Sequence, residues 1–248
     1  MFDHQRRSLT IGSLCLSILL IGYSLPAYST EKGSIRVATV LFPPYVTLNS
    51  NQEVSGQAVD KAKQLFKRIN LTPIFIPLPW KRAIQSVENQ EADVILPIFR
   101  TATRDRLFRF TTRPFMELDV VVFKVKGKQL SSVDGTLSFL KGLRISRIRD
   151  VSTSTEFDKM VADGEITIMH ADSIPQQMNQ LLQGRVDLAV GISGTHLPFS
   201  GEGKPEIIPI PISTRSAFIA TSFSAQHAGL FEQIESALLS MEQQVQGE

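Results

Sequence analysis

Twice in this chain an aspartate stands just before a short apolar run, in "QEADVILP" (90–97) and in "GRVDLAV" (184–190). Each run closes a unit that opens with a β-branched strand entering a turn, "SIRVATV" from Ser34 and "LRISRIRD" from Leu143. In the first unit Ala62, Leu65, Phe66 and Ile69 recur at helical spacing, with Lys and Arg on the other face. A strand over 73–78 and a short helix in "KRAIQSVENQ" follow. In the second unit a helix is expected from about Thr153, then a strand in "EITIMH" and a helix in "SIPQQMNQLLQ". Such alternation implies parallel strands covered by helices. The chain is therefore expected to hold two similar α/β units with different insertions. "PEIIPIPIS" and "SAFIATSF" read as two further strands. Leu230, Phe231, Ile234, Leu238 and Met241 form one stripe of a C-terminal amphipathic helix.

The first 29 residues stand apart. Arg6 and Arg7 precede a largely apolar run from Leu9 to Leu25, and Ala27-Tyr28-Ser29 puts small residues where a signal peptidase reads. We read 1–29 as a signal peptide cleaved near Ser29/Thr30, which makes the protein an exported one. An uncleaved anchor is the alternative, but the run is short and broken for a membrane span of roughly 20 residues. The single cysteine, Cys15, lies inside that segment. The exported remainder must then rely on an ordinary hydrophobic core rather than disulfides. A formal net charge of +2 over 248 residues gives no electrostatic reason to expect nucleic acid as a partner.

Two α/β units in one chain imply a cleft, because ligands bind beyond the carboxyl ends of such strands. Phe42-Pro43-Pro44 and the Phe99–Arg104 loop fall at strand ends. Five arginines crowd this region: Arg100, Arg104, Arg106, Arg109 and Arg113. Arg104 sits where a planar guanidinium would face the cleft and match a carboxylate. Arg106 and Arg109 are expected to point elsewhere on a following helix, and Arg113 is left open. Phe42, Phe99 and the lone Trp80 are either core residues or a cleft wall for an organic ligand. Val151-Ser152-Thr153 precedes a helix, and Thr153 with Glu156 has capping-box spacing. Capping and reception of an anionic ligand group are compatible there.

Enzyme signatures are weak. "GISGT" (191–195) lacks the second glycine of a nucleophile elbow, and "GEGK" (201–204) falls short of a phosphate loop. His170, His196 and His227 have no ligand spacing, so neither a metal nor a cofactor is expected.

The ordered pieces resemble those of extracellular solute-binding proteins of family 3, the type associated with amino-acid ABC transporters. "FPPY" is similar to that family's aromatic turn, and "SGQAVDKAKQL" to its helix start, with Gly56 and Asp60 kept and Gln57 and Ala58 departing. "FRTATRDRLFRFT" resembles the family's arginine segment, with Thr101, Arg104, Phe110 and Thr111 in register. "LKGLRI" and "GRVDLAV" resemble signatures of the second lobe, and "PWKRA" a subgroup carrying Trp-x-Arg. The resemblance covers nearly all of 35–240. It implies a two-lobed α/β periplasmic binding protein of type II, with a ligand cleft between two helix-covered sheets. Lobe 1 would comprise 30–116 and 217–248, and lobe 2 would comprise 117–216.

The implied role is capture of a small carboxylate-bearing solute by a monomer and its delivery to an ABC permease in the inner membrane. Arg104 would clamp the carboxylate, Phe42 would pack on the ligand, and the Val151–Ser152 turn would donate to the carboxylate. Trp80 and Phe99 complete the expected site. Three departures stand out. Ile192 takes the place of the acid that receives a ligand's amino group, and Asp150 takes that of a turn glycine. Pro97 and Phe99 replace small hydroxyl residues. Two other classes stay open. One is a dehydratase-like enzyme on the same fold, for which Asp150, Asp172 and Glu117 are the candidate acids or bases. The other is a ligand sensor without transport.

Overall fold

The computed structural model describes residues 33–130, 136–149, 151–223 and 228–246. The expected signal segment, its cleavage point, Asp150 and His227 lie outside the described residues.

The first unit runs β1 (Gly33–Thr39), β2 (Thr47–Leu48), β3 (Val54–Ser55), α1 (Gln57–Arg68), β4 (Leu71–Pro77), α2 (Trp80–Glu88) and β5 (Val94–Phe99). A single 3-10 turn at Arg104–Arg106, β6 (Phe108–Phe110) and β7 (Met116–Val125) follow. The second unit contains β8 (Arg144–Ile148), α3 (Thr155–Ala162), β9 (Thr167–Ala171), α4 (Ile174–Leu182) and β10 (Leu188–Ile192). The chain then returns through β11 (Ile207–Ser222) and ends in α5 (Ala228–Gln246).

The expected parallel strands are present in both units: β1 pairs in parallel with β4 and β5, and β8 with β9 and β10. Between them β11 and β7 run antiparallel to each other and to their neighbours. The two expected sheets are thus joined, among the described residues, into one hydrogen-bonded order β4-β1-β5-β11-β7-β10-β8-β9, with β6 alongside β11. The cause is β11. "PEIIPIPIS" and "SAFIATSF" are not two strands but one of 16 residues, with a register irregularity between Pro211 and Ser213 within its pairing to β7.

The recurring aspartates have one structural task. Asp93 accepts from the Arg36 backbone N–H at 2.7 Å and from the Arg36 guanidinium at 2.7 Å, while its own N–H donates to the Arg36 carbonyl at 2.9 Å. Asp187 repeats this with Arg144: its carboxylate accepts from the Arg144 N–H at 2.9 Å, and its N–H donates to the Arg144 carbonyl at 2.7 Å. Each carboxylate ties the entry of the third strand of its unit to the first strand, at Arg36 in the middle of β1 and at Arg144 at the start of β8.

Separate cores lie beneath the two units. One gathers Ile35, Val37, Leu65, Phe66, Leu96 and Phe115 with Ile234 and Leu238 of α5, so the C-terminal helix packs back on the first unit. Another gathers Val122, Leu140, Ile145, Phe157 and Leu188. Fully burying a side chain such as Phe66 or Phe157 contributes roughly 1.5–3 kcal/mol. Phe42 and Tyr45, stacked at 5.5 Å, pack against both cores.

Helix starts follow local chemistry. The Ser154 hydroxyl accepts from Phe157 N–H at 3.1 Å and caps α3, one residue later than the Thr153–Glu156 spacing implied. Ser173 caps α4 in the same way. At α1 the cap is Gly56, with φ of 114°, where an added Cβ would lie 2.5 Å from the Tyr45 carbonyl oxygen, so only glycine fits.

Candidate functional site

All strands of a parallel set point the same way, so their carboxyl ends collect on one side. Here the ends of β1, β4, β5, β8, β9 and β10 all border one cleft of about 620 Å³. Phe42 comes from the segment after β1, Trp80 from the start of α2 after β4, and Phe99 from the end of β5. Arg104 follows on the 3-10 turn, while Val151 and Ser152 come from the segment after β8. The six residues selected from the sequence therefore line the same space.

Arg104 is 8% exposed. Its Nη1 donates to the Phe99 carbonyl at 2.7 Å, and its guanidinium carbon lies 4.6 Å from the Trp80 ring centroid. A carbonyl from one strand end and an aromatic face from another thus set its plane. The other arginines of the cluster go elsewhere. Arg100 pairs with Asp105 at 2.7 Å, Arg113 pairs with Glu242, and Arg106 is exposed. Arg109 pairs with Glu232 at 2.7 Å and stacks on Phe231 at 3.7 Å. The expected helix after Arg104 is one 3-10 turn, and Arg109 lies on β6 instead; strand pairing with β11 overrides the helical pattern there.

Sequence reading missed Arg215. It lies on β11, 4.3 Å over the Phe99 ring, and its Nη1 donates to Ser152 Oγ at 3.0 Å and to the Thr153 carbonyl. Burial lowers its pKa, with the Asp158 charge opposing. It links the two sides of the cleft. Its only sequence signal was a cation in the run connecting two apolar stretches, which reads as an ordinary turn. The Val151 N–H donates to the Ile148 carbonyl at 3.3 Å in this conformation, so the turn presents the Ser152 hydroxyl rather than that amide.

The rest of the wall is mostly apolar and includes Leu118, Ile174, Val190, Ile192 and Phe199. Asp172 is the only acid among the described lining residues; its side chain is 70% exposed and pairs with Arg149 at 3.1 Å. Gln177 lies in the floor, its Nε2 donating to the Ser146 and Val190 carbonyls at 3.0 Å each. Glu117 is exposed, accepts from Ser216 Oγ at 2.8 Å, and does not border the cleft. Among the described residues no group of three His, Cys, Asp or Glu is placed to hold a metal, and no helix is long and apolar enough to cross a membrane.

Residues 35–246 match the family model of bacterial extracellular solute-binding proteins, family 3. The chain belongs to that family. This family 3 protein is 29% identical over 180 residues to the putative ABC transporter arginine-binding protein 2 of Escherichia coli K12, covering 71% of the chain and 69% of that relative. It is 27% identical over 180 residues to the histidine-binding periplasmic protein of the same organism, covering 71% and 67%. Among solved structures, an ancestral arginine-binding protein bound to arginine superposes with a TM-score of 0.72 at 22% identity, covering 85% of this chain and 93% of that one. A histidine kinase sensor domain similar to periplasmic binding proteins gives 0.72 at 17% identity, covering 87% and 93%. At such identities the structural likenesses establish the two-lobed fold.

Proposed function

We propose that this family 3 protein is exported to the periplasm, captures a small carboxylate-bearing solute in its cleft, and delivers it to an ABC permease of the inner membrane. In this reading 30–116 with 217–248 form lobe 1, 117–216 form lobe 2, and the ligand bridges the two. The carrying observation is Arg104, a buried guanidinium held between the Phe99 carbonyl and the Trp80 face in the cleft wall. Its planar donor fork suits a carboxylate. Phe42, Trp80 and Phe99 supply apolar contact for the ligand body, and Ser152 a hydroxyl from the facing side.

The test begins with a thermal-shift screen of amino acids and organic acids on the mature protein, followed by calorimetry with the strongest hit. Replacing Arg104 by Ala or Met should weaken binding by roughly 2–5 kcal/mol, the range for removing one partner of a buried charge pair. That is about 30-fold or more in Kd. Lysine should rescue only in part, because an ammonium lacks the two-donor plane. Arg106→Ala and Arg109→Ala should change binding little. Equal losses at all three positions would replace the clamp with a diffuse basic surface.

A further inference from the structure

We infer that the cleft takes an apolar-bodied, aromatic-type carboxylate without a positive charge, and disfavours cationic or amino-bearing solutes. This rests on the proposed capture of a carboxylate and adds what the remainder of the ligand must be.

Three observations carry it. First, the charge of the wall is one-sided. Arg104 borders the cleft directly and Arg215 flanks it through Ser152 and Phe99, whereas the sole described lining acid, Asp172, is exposed and engaged by Arg149. An ammonium or guanidinium entering this space meets two cations and, from the described wall, one carboxylate that already has a cationic partner. Leaving water without a partner is costly for a charged group. Second, two of the four aromatic rings in the lining, Trp80 and Phe99, already hold a cation, which leaves Phe42 and Phe199. Arg104 lies on Trp80 at 4.6 Å and Arg215 on Phe99 at 4.3 Å, so a ligand cation would have to displace a guanidinium to use either of those two rings. Third, the wall opposite Arg104's half is built for apolar contact. Ile148, Val151, Ile174, Val190, Ile192 and Phe199 all line it. Beside Ser152, Ser173 and Asp172, its polar members Gln177 and Thr195 are turned to the protein's own backbone, Gln177 to the Ser146 and Val190 carbonyls and Thr195 to the Ile192 carbonyl at 2.7 Å. With one anion-binding end and an apolar remainder in which Phe42 and Phe199 take part, the cleft matches a carboxylate on an aromatic body.

Calorimetry on the mature full-length protein, using four probes of one skeleton and one cation, tests this. The probes are 3-phenylpropanoate, L-phenylalanine, 3-phenylpropanamide, 3-phenylpropylamine and L-arginine. 3-Phenylpropanoate should bind at least tenfold more tightly than L-phenylalanine, with no saturable heat from the amine or from arginine. The amide should bind at least 30-fold more weakly than the acid. Ile192→Asp, which places a carboxylate in the apolar wall, should reverse the order of phenylalanine and phenylpropanoate, while Asp150→Asn should leave the wild-type order unchanged. Equal binding of amide and acid would overturn the carboxylate reading itself. Binding of phenylalanine or arginine as tight as that of phenylpropanoate would leave that reading standing and overturn the charge inference alone. Loss of the wild-type preference in Asp150→Asn would also overturn it, by assigning the discrimination to that acid. Absence of binding by 3-phenylpropanoate and by three further acids of other chain length, benzoate, phenylacetate and 4-phenylbutanoate, would overturn the assignment of an aromatic body.

Discussion

Gly194 offers a way to separate closure of the cleft from stability of the fold. It lies in the turn after β10 with φ of 89°, and a Cβ built there would stand 2.4 Å from Cδ and 3.3 Å from Cγ of Pro44, on the segment after β1. Gly142 has a similar φ of 76°, but a Cβ there meets nothing within 4 Å. Alanine at either position carries the left-handed backbone penalty of about 1–2 kcal/mol. Only Gly194→Ala adds a steric conflict. The proline ring cannot rotate aside, so about 1 Å must open between the two segments, and overpacking of this kind costs about 1–3 kcal/mol. If the segments belong to lobes that separate, the open state escapes that second cost and the ligand-bound state bears it. Both variants should then lose a similar few degrees in Tm. Gly194→Ala alone should lose about 5- to 150-fold in affinity for the strongest carboxylate hit. Scanning calorimetry and titration calorimetry of the two variants make the comparison. The reasoning fails if Gly194→Ala keeps wild-type affinity, or if its extra cost appears in Tm with affinity untouched, since the contact would then belong to the fold and not to closure.

Asp187 should make stability depend on acid. Burial pushes its carboxyl up, but hydrogen bonds from Lys128 Nζ at 2.6 Å and from the Arg144 N–H and guanidinium outweigh this and hold it at about 2, against an ordinary 3.8. A depressed folded value means that the contribution is complete above the unfolded pKa and disappears as pH falls through about 2. Allowing for solvent screening at the partly exposed Lys128 and Arg144, Asp187→Asn should cost about 1–2 kcal/mol near neutral pH. The gap to wild type should close between pH 4 and pH 2, a window of about two units; urea denaturation at several pH values would show it, and a gap constant down to pH 2 would contradict the assignment. Ser154→Ala removes the cap of α3 and should cost about 1 kcal/mol, with Ser154→Asp largely restoring it; equal losses in both would mean that the hydroxyl acts in some other way.

Much of the architecture was legible because it is written in local periodicity. The helical stripe Ala62-Leu65-Phe66 and the apolar runs after Asp93 and Asp187 mark α1, β5 and β10 through patterns that need only neighbours in sequence. The repeated aspartates marked the two units, because in each a carboxylate accepts from an N–H of the leading strand, Arg36 in β1 and Arg144 in β8. Arg104 could be singled out from its place beyond an apolar strand. What periodicity could not show was the fate of "PIPISTRSAF". Two prolines and a run of hydroxyl residues imply a break, yet β11 continues through them, because pairing with β7 holds the first part and pairing with β5 and β6 holds the last.

By itself the sequence determined that two strand–helix units recur and that their strand ends carry Phe42, Trp80, Phe99 and Arg104 on one side and Val151 and Ser152 on the other. Only the tertiary structure decided which arginines meet at the cleft. Arg215 is 111 residues beyond Arg104 in the chain, and no local pattern relates them. Antiparallel pairing of β11 across both units brings Arg215 onto the Phe99 ring and Ser152. The same pairing sets the electrostatic character of the cleft, because charge acts through space and the distance along the chain does not enter it.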